Sequence, residues 1–186
     1  MKLCATCLFG VESLVADELR YNNFNNVVTE TGRVVFEGDE RDLVRANLLL
    51  RTAERVYILM GEFPARTFDE LFEGVKALPW EDYIDKNGQF PVKGSSLDSA
   101  LHSIPDCQAI IKKASAVRLC AKYGFERMPE TGAVYQIRFF IMKDKAILYL
   151  DASGASLHKR GYRPASNAAP LRETLAAAMV KISRFK

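Results

Sequence analysis

Strand-like and helix-like segments alternate over the first part of the chain, and this alternation limits the possible folds more than any other feature of the sequence. Four segments have the apolar alternation of strands, and two carry apolar residues at helical spacing. The predicted strands cover residues 2–8, 27–30, 33–37 and 55–63, and the predicted helices cover residues 11–22 and 40–49. Asp39 precedes the second helix and fits an N-cap. The order βαββαβ indicates a ferredoxin-like unit.

After Pro64 the pattern changes to one that begins with helices. Thr67 is predicted to cap a helix through Leu78, and Pro105 is predicted to occupy the first position of a second, long helix. A short turn, a strand and a hairpin complete this half, at residues 80–84, 89–94, and 134–142 with 146–151. The order ααβαββ, with no Ser- or Pro-rich linker before it, indicates a second unit that follows the first directly.

Two details of this second half bear on the binding site. Residues 94–99 contain one glycine and three serines, a composition typical of a polar loop. The long helix is predicted to turn an apolar stripe toward the core, formed by Cys107, Ile110, Ala114, Val117 and Ala121. Its opposite, solvent-facing side is predicted to carry Gln108, Lys112, Ser115 and Lys122, flanked by Lys113 and Arg118.

Positive charge is concentrated in the second half of the chain. Residues 1–88 contain 10 Lys and Arg against 16 Asp and Glu, whereas residues 89–186 contain 16 against 7, and the whole chain carries a net charge of +3. Such a split favours a polyanion as the partner of the second half. The alternative is that these basic residues only solvate one face.

The sequence contains four cysteines and no long apolar segment. Cys4 and Cys7 have the spacing of half a zinc site, but Cys107 and Cys120 lie too far apart to form the second half. We therefore expect four reduced, mostly buried thiols and no metal. The apolar runs are much shorter than the roughly 20 residues that a membrane-spanning helix needs, and no basic-then-apolar leader begins the chain. We expect a cytoplasmic protein with no membrane partner.

Several motifs together resemble those of one protein family. The strand Lys93-Gly94-Ser95-Ser96 followed by Ser99, the helical segment at residues 110–114 and the hairpin end at residues 150–154 are similar to a THUMP domain. The basic heptapeptide Leu-His-Lys-Arg-Gly-Tyr-Arg, residues 157–163, and the segment at residues 169–178 are similar to the linker into the methyltransferase domain of bacterial 23S rRNA guanine-N2 methyltransferases. The resemblance covers essentially the whole chain.

The resemblance implies an α/β (α+β) protein with three parts. These are an N-terminal ferredoxin-like βαββαβ unit at residues 1–64, a THUMP-type ααβαββ RNA-binding unit at 65–155, and a linker with a first helix at 156–186. That helix would lead toward a methyltransferase domain that this chain does not contain. Its apolar stripe has no evident partner among the preceding elements, although docking on the second unit is an alternative; the stripe is formed by Leu171, Leu175, Ala178 and Ile182.

The resemblance implies a parent enzyme that binds structured RNA, expected to be 23S rRNA, and methylates a guanine exocyclic amine with S-adenosylmethionine. Such enzymes hold the cofactor on an Asp-Pro-x-Cys-Gly-Ser-Gly-type loop and the target base on an Asn-Pro-Pro-Tyr-type motif. Neither motif occurs in these 186 residues. We therefore expect no cofactor and no catalytic residue in this chain, and S-adenosylmethionine binding only in a full-length parent enzyme.

The residues expected to contact RNA are basic or carry a hydroxyl. Lysines along a helix can follow a track of phosphates, and hydroxyls can bond a phosphate or a ribose 2′-OH. The alternatives are loop capping for the serines and ordinary solvation for the lysines. The histidine of the heptapeptide has no nucleophile or evident carboxylate beside it in the sequence, so no catalysis is assigned to it. The predicted set is Lys93, Ser95, Ser96, Ser99, Lys112, Lys113, Arg118, Lys122, His158, Lys159, Arg160 and Arg163.

Two other functions remain open from the sequence. The chain could be a stand-alone RNA-binding adaptor whose last helix docks on a partner that supplies catalysis. It could also be the THUMP region of an enzyme that methylates, deaminates or thiolates tRNA. The heptapeptide favours methylation, and thiolation would need reactive cysteines, whereas these four look structural.

Overall fold

The computed structural model describes residues 1–160 and 170–183, and the chain divides into two compact units. The first unit consists of Met1–Ile58 together with Ala152–Lys186, and the second unit consists of Leu59–Asp151. The second unit is therefore inserted, in sequence, between two parts of the first.

The first unit has the predicted βαββαβ order. Its elements are β1 (Lys2–Thr6), α1 (Glu12–Tyr21), β2 (Asn25–Glu30), β3 (Arg33–Glu37), α2 (Glu40–Leu49) and the start of β4 (Arg55–Pro64), which continues into the second unit. The strand order is β2-β3-β1-β4, and each neighbouring pair is antiparallel. The ferredoxin-like arrangement predicted from the periodicity is confirmed.

The core of the first unit lies on one face of this sheet. Leu3 is paired with Phe36 on one side and Ile58 on the other, so the three side chains lie in a row. All three are buried, as are Val15 and Leu19 of α1. Because strand side chains alternate between faces, this row is the apolar face that α1 covers.

The start of α2 is fixed by the predicted N-cap. The Asp39 carboxylate accepts the backbone N–H of Asp42 at 2.9 Å, and the Asp42 carboxylate accepts the backbone N–H of Asp39 at 3.3 Å. This reciprocal pair is a capping box in which Asp42 takes the place of the usual Glu or Gln.

After the second unit the chain returns to the first. Ala152 donates its backbone N–H to the carbonyl of Val56 at 3.1 Å, and a 3₁₀ turn at Leu157–Lys159 and α5 (Glu173–Ile182) follow. The helix predicted for this region is confirmed, but of its predicted apolar stripe Ala178 is buried while Leu171 and Ile182 are exposed. Thr174 and Ala178 are buried, whereas Ile182 is 63% exposed. α5 belongs to the first unit, not to the second.

The second unit contains the predicted helices and strands in the predicted order. After β4 come α3 (Phe68–Lys76), a 3₁₀ turn (Trp80–Asp82), β5 (Val92–Leu97), α4 (Ile104–Tyr123), β6 (Ile137–Met142) and β7 (Lys145–Asp151). β5 is parallel to β6, and β6 is antiparallel to β7, in the order β7-β6-β5. The Thr67 cap of α3 is confirmed, since its hydroxyl accepts the backbone N–H of Glu70 at 3.2 Å.

The predicted hairpin between β6 and β7 is also confirmed. Its two turn residues, Lys143 and Asp144, have φ angles of 51° and 60°. Positive φ at both central residues is the geometry of a type I′ turn, which matches the right-handed twist of paired strands. Asp144 also accepts the backbone N–H of Ala65 on its carbonyl at 2.7 Å, so the turn is held to the end of β4.

The position of β5 was predicted incorrectly. The strand covers Val92–Leu97 instead of residues 89–94, so the first four residues of the predicted polar loop are strand. The physical reason lies at Gly94, where a Cβ would come within 2.1 Å of the Phe139 carbonyl oxygen. The glycine here permits a close approach of two parallel strands and does not break the strand.

The apolar stripe of α4 was also predicted with the wrong phase. The buried residues are Cys107, Ile111, Ala114, Ser115 and Leu119. Val117 is 39% exposed, Ala121 is exposed, and Ile110 is only half-buried. Because α4 carries alanines and other small or apolar residues on most of its sides, its sequence does not define one stripe, and packing against α3 and β5 sets the phase.

None of the helices in the described part of the chain has the length and apolarity needed to cross a membrane.

Candidate nucleic-acid interface

The outer face of β5 and β6 carries the first group of predicted RNA contacts. Along β5 the side chains alternate, so that Lys93, Ser95 and Leu97 are exposed. The parallel register places Lys93 beside Arg138 and Ser95 beside Phe140. We call these four polar and aromatic residues, Lys93, Ser95, Arg138 and Phe140, the β5–β6 face. It combines two cations, a hydroxyl and a ring on one side of the sheet.

Arg138 and Phe140 are the members of this face that the sequence did not predict, and Arg138 is the charged one. Its Nε lies 3.6 Å from Asp151 Oδ2, and the Asp151 side chain is only 4% exposed. The carboxylate therefore attracts the guanidinium that lies beside Lys93, but Arg138 Nε has no hydrogen-bond partner among the described residues. The parallel register of β5 and β6 places the two cations side by side. This register cannot be predicted from the composition of the strands.

The other two predicted serines do not lie on this face. The Ser96 hydroxyl points to the opposite, covered side of β5, where its oxygen is buried without a hydrogen-bond partner among the described residues. Ser99 donates to the Leu97 carbonyl at 2.9 Å and accepts the backbone N–H of Asp144 at 3.2 Å. Ser99 thus ties the loop after β5 to the β6–β7 turn.

The two adjacent lysines of α4 have different surroundings. Lys112 Nζ lies 2.5 Å from Glu130 Oε2 and 3.5 Å from the centre of the Phe90 ring. Lys113 is exposed, and its Nζ lies 6.0 Å from the centre of the Phe72 ring. Lys112 is therefore engaged within the protein, whereas Lys113 faces solvent over an aromatic ring.

The C-terminal half of α4 shows the same contrast. Arg118 donates two hydrogen bonds to the Glu81 carboxylate, at 3.0 and 2.6 Å. The bonds from Arg118 hold the pKa of Glu81 below its usual value, and the positive charge of Lys122 adds to the effect. Lys122 itself is exposed.

Because α4 packs against the covered side of β5, the exposed cations of α4 and the β5–β6 face lie on different sides of the second unit.

The described part of the basic heptapeptide, residues 157–160, lies in the first unit and is largely engaged there. Leu157 is buried, His158 Nδ1 lies 3.4 Å from Glu54 Oε2, and Lys159 is exposed. Arg163, like Gly161 and Tyr162, lies outside the described residues.

Arg160 binds the end of α2. Its guanidinium donates to the carbonyls of Asn47 and Leu48, at 2.6 and 3.1 Å. The last carbonyls of a helix have no partner within the helix and carry partial negative charge. Arg160 therefore caps the C-terminus of α2.

Two carboxylates of the first unit hold α5 in place. Glu54 accepts a hydrogen bond from the Thr174 hydroxyl at 2.5 Å, and Glu18 lies 2.9 Å from Lys181 Nζ. The Glu18 side chain is 7% exposed and also accepts the backbone N–H of Arg51 at 2.9 Å. Neither glutamate was predicted to have a role. Thr174 lies 120 residues from Glu54, so no local pattern indicates the contact.

The cysteines and the acidic residues do not form a metal centre in the described part of the chain. Over those residues, no three His, Cys, Asp or Glu side chains come together in a way that could hold an ion. Each of the four cysteines is reduced, outside any disulfide bond, and Cys4 and Cys107 are buried. Burial, with the negative charges of Glu12 and Glu54, raises the pKa of Cys7 to about 12. Cys7 is therefore a neutral thiol at physiological pH.

Two family models match the chain. The model of the RlmL ferredoxin-like domain matches residues 2–57, and the model of the THUMP domain matches residues 65–151. The two matches fall on the βαββαβ order of the first unit and on the ααβαββ order of the second.

Curated relatives extend well beyond this chain. YpsC of Bacillus subtilis (strain 168), assigned by its name to the RNA methyltransferases, is 46% identical over 185 residues, which is 98% of this chain and 48% of that protein. The ribosomal RNA large subunit methyltransferase K/L of Pseudomonas entomophila (strain L48) is 31% identical over 180 residues, which is 96% of this chain and 25% of that protein. The chain thus spans about half of the first relative and about a quarter of the second.

Solved structures give the same picture. A Listeria monocytogenes str. 4b F2365 protein, named as an N6-adenine-specific DNA methylase, is 50% identical with a TM-score of 0.94 over 99% of this chain and 48% of its own. SMU.472, named as a methyltransferase and solved in complex with SAH, is 41% identical with a TM-score of 0.92 over 99% of this chain and 49% of its own. This chain therefore consists of an RlmL ferredoxin-like domain followed by a THUMP domain, and nearly all of it is similar to a part of proteins that are named as RNA methyltransferases.

Proposed function

We propose that this chain captures and positions structured RNA for a methyltransferase domain that uses S-adenosylmethionine. The observation that carries the proposal is the THUMP domain at residues 65–151, which contains the β5–β6 face and the exposed cations of α4. We further propose that the RNA is 23S rRNA in the cytoplasm and that the parent enzyme methylates a guanine N2 amine. The name of the Pseudomonas relative, a large-subunit rRNA methyltransferase, supports the choice of RNA.

Among the predicted residues, the exposed ones are the proposed direct contacts. They are Lys93, Ser95, Lys113, Lys122 and Lys159, with Arg163 kept in the set from the sequence. An exposed ammonium group that approaches a phosphate releases condensed counterions, which gives an affinity that does not depend on base sequence. The Ser95 hydroxyl, beside Lys93 on the same strand face, can bond a ribose 2′-OH and so favour RNA over DNA.

The remaining predicted residues are proposed to act indirectly. They are held by protein acceptors or buried, and they shape the surfaces on which the exposed residues lie; they are Ser96, Ser99, Lys112, Arg118, His158 and Arg160. Arg118, for example, donates two hydrogen bonds to Glu81 and thereby fixes the part of α4 on which Lys122 lies.

The strand-to-helix connection of the second unit does not have the glycine-rich sequence of a loop that holds S-adenosylmethionine. The strand-to-helix connection in the second unit, residues 98–103, contains no glycine that could let a cofactor approach the backbone. The Ala100 N–H in that loop is donated to Asp144 Oδ1 at 2.8 Å, and Leu101 is buried. We therefore assign cofactor binding to the part of the parent enzyme that this chain does not match.

The test is the salt dependence of RNA binding by a variant with Lys93, Lys113 and Lys122 replaced by alanine. We expect the wild type to bind a structured rRNA fragment, and the slope of log affinity against log salt to fall by about 0.7 to 0.9 for each phosphate contact that the variant loses. Fluorescence anisotropy at several salt concentrations measures both.

The matched control removes the same charge from the first unit, by replacing Lys2, Arg20 and Arg41, which are all exposed. We expect the control to keep the wild-type slope. Equal losses in the two triple variants would show that net charge alone drives binding and would reject the proposed contact set. An absence of RNA binding by the wild type would reject the proposed function.

A further inference from the structure

The polar side chains of the β5–β6 face are not engaged elsewhere in the described part of the protein. Lys93 and Ser95 are exposed, and neither makes a side-chain hydrogen bond or an ion pair with another described residue. The Arg138 side chain is 33% exposed, and its Nε has only the 3.6 Å contact with Asp151. Arg118 on α4, by contrast, donates two hydrogen bonds to a carboxylate. A ligand can therefore bind the β5–β6 face without displacing a hydrogen bond from these three side chains.

The Phe140 ring of this face is accessible as well. It is half-buried, and within the described residues it makes no contact with another ring or with a cation. The rings of Phe90 and Phe72, by contrast, each have a lysine Nζ near them, at 3.5 and 6.0 Å from the ring centre. The neighbour of Phe140 on β5 is Ser95, whose side chain is too small to cover a ring. The Phe140 ring can therefore be reached from the side of β5.

Exposed apolar surface continues along the two strands beyond Phe140. Leu97 and Met142, which are paired with each other, are 60% and 39% exposed. On the same side of β7, Ile147 and Tyr149 are only 8% and 6% exposed. The solvated face of a sheet normally carries polar side chains, and exposed apolar residues beside cations are typical of a binding surface. This surface is confined to β5 and β6.

We propose that the β5–β6 face holds an unpaired nucleotide of RNA, with its base stacked on the Phe140 ring and its phosphate between Lys93 and Arg138. The ring and the two cations lie two residues apart along the strands, about 7 Å, so one nucleotide can reach both. Stacking on a ring suits every base, and the Ser95 hydroxyl can bond the ribose 2′-OH. The inference rests on the proposed function, because RNA is the partner in both.

What the inference adds is the state of the RNA. A base inside a duplex is stacked on both of its flat sides, so only an unstacked base can lie on a protein ring. The exposed lysines of α4 need no such base, because they contact phosphates, which a duplex and a single strand both carry.

Charge favours a nucleotide over an apolar polypeptide as the occupant. The carboxylate beside the two cations, that of Asp151, is 4% exposed, so the face presents mainly positive charge to solvent. An apolar strand that paired with β5, which is the last strand in the order β7-β6-β5, would leave these cations without a counter-charge. A strand from a second copy of the chain is the alternative occupant, and the experiment separates it from RNA.

The test is binding of the 186-residue chain to three RNAs, measured by fluorescence anisotropy. They are a single strand of about 12 nucleotides, the same strand with abasic sites, and its duplex with the complementary strand. We expect Phe140→Leu to weaken binding of the intact single strand by about five- to hundredfold and to leave the other two within about twofold. The salt slope should not change, because the variant removes no charge.

The matched control is Phe68→Leu, the same change at a ring of α3 that is 38% exposed. It should bind all three RNAs as the wild type does. Phe140→Trp keeps a ring that can stack and should retain the binding of the single strand, which separates the loss of stacking from a loss of folding.

Three results would overturn the proposal. If Phe140→Leu weakened binding of the three RNAs equally, or of none, the base would not stack on this ring, while the proposed function would stand. A dimer of the chain in sedimentation that Phe140→Leu dissociates would assign the face to a second copy. A wild-type chain that binds none of the three RNAs would reject the proposed function together with this inference.

Discussion

Arg160 is predicted from the sequence to contact RNA, but in the fold it binds backbone carbonyls of the protein itself. It stands in a run of basic residues, yet its guanidinium donates to two carbonyls at the end of α2. Its neighbour Lys159 is exposed, with the same charge and a similar length. The difference between the two is set by the position of α2, more than a hundred residues earlier in the chain.

We expect Arg160→Met to lower the free energy of unfolding by about 1 to 3 kcal/mol. The methionine keeps much of the aliphatic contact but leaves the Asn47 and Leu48 carbonyls without their charged donor. Urea denaturation followed by circular dichroism measures the change. Lys159→Met is the control and should stay within about 0.5 kcal/mol of the wild type. Equal stability of the two variants would contradict the capping role of Arg160.

The thiol of Cys7 makes stability depend on alkaline pH. Its pKa is raised from 9.0 to about 12 in the folded protein, first by burial and then by the charges of Glu12 and Glu54. Between these values the folded protein holds the thiol proton more tightly than the unfolded chain does. The contribution of the thiol to stability is therefore complete below pH 9 and is lost as the pH rises toward 12.

We expect this loss to disappear when Cys7 is replaced by alanine. Urea midpoints of the wild type and of Cys7→Ala, measured in steps from about pH 8 upward, should draw together as the pH rises. Other groups titrate equally in both proteins and cancel in the difference. A constant difference across the series would show that the pKa of Cys7 is not raised.

At the scale of the element, β5 shows why one glycine is required in a strand. A Cβ at Gly94 would lie 2.1 Å from the Phe139 carbonyl oxygen and 2.5 Å from its ring, far inside van der Waals contact. The backbone oxygen cannot move without loss of the parallel pairing between β5 and β6. The β5–β6 face therefore depends on a residue that is itself on the opposite side of the strand.

We expect Gly94→Ala to destabilise the second unit by about 3 kcal/mol through this overpacking. Ser95→Ala, at the next, exposed position, is the control and should change the free energy of unfolding by less than about 0.5 kcal/mol. Chemical denaturation measures both. A stable Gly94→Ala protein would mean that β5 can move away from β6 without cost.

The elements that the sequence predicts well are those fixed by near neighbours. The Asp39 and Thr67 caps each depend on a residue three positions later, so both could be read directly from the chain. The hairpin turn at Lys143 and Asp144 is local in the same way. The phase of α4 is not local, because its alanine-rich sequence suits several stripes and the contacts with α3 and β5 choose among them.

The residues of the candidate site also differ in how far they can be predicted from local sequence. Lys93 and Ser95 share a face because the side chains of a strand alternate between its two sides. This shared face can be predicted from the sequence as soon as the strand is identified. Arg138 joins them only through the register of β5 and β6. The acceptors that engage Lys112, Arg118 and Arg160 lie 18, 37 and 113 residues away in sequence, beyond any local pattern.

For the whole molecule, positive charge is concentrated in residues 89–186, and this predicts where contacts with RNA fall along the chain. The basic half contains β5, α4 and the start of the heptapeptide, whereas the acidic half contains α1 to α3. The fold mixes these halves, because the first unit joins residues 1–58 to residues 152–186 and carries 14 Lys and Arg against 10 Asp and Glu, whereas the second carries 12 against 13. A polyanion is therefore attracted to exposed basic side chains locally, and salt screens that attraction.

We expect crosslinks between this chain and a structured rRNA fragment to fall mainly between residues 89 and 163. Mass spectrometry of crosslinked peptides measures the distribution, at low and at physiological salt. A variant with Lys112, Lys113 and Lys122 changed to glutamate should lose the crosslinks on α4, because a like charge then faces the phosphates. Crosslinks of wild-type strength in that variant would show that α4 is only a solvated surface.

The division of the first unit into two stretches of sequence also sets the order in which the protein can fold as it leaves the ribosome. The residues that complete this unit, from Ala152 onward, emerge only after the whole of the second unit has been synthesised. Until then Glu54 and the end of α2 lack His158, Arg160 and Thr174 as partners. The second unit can therefore reach its native structure first, and the nascent ferredoxin-like unit is completed last by the segment that begins at Ala152.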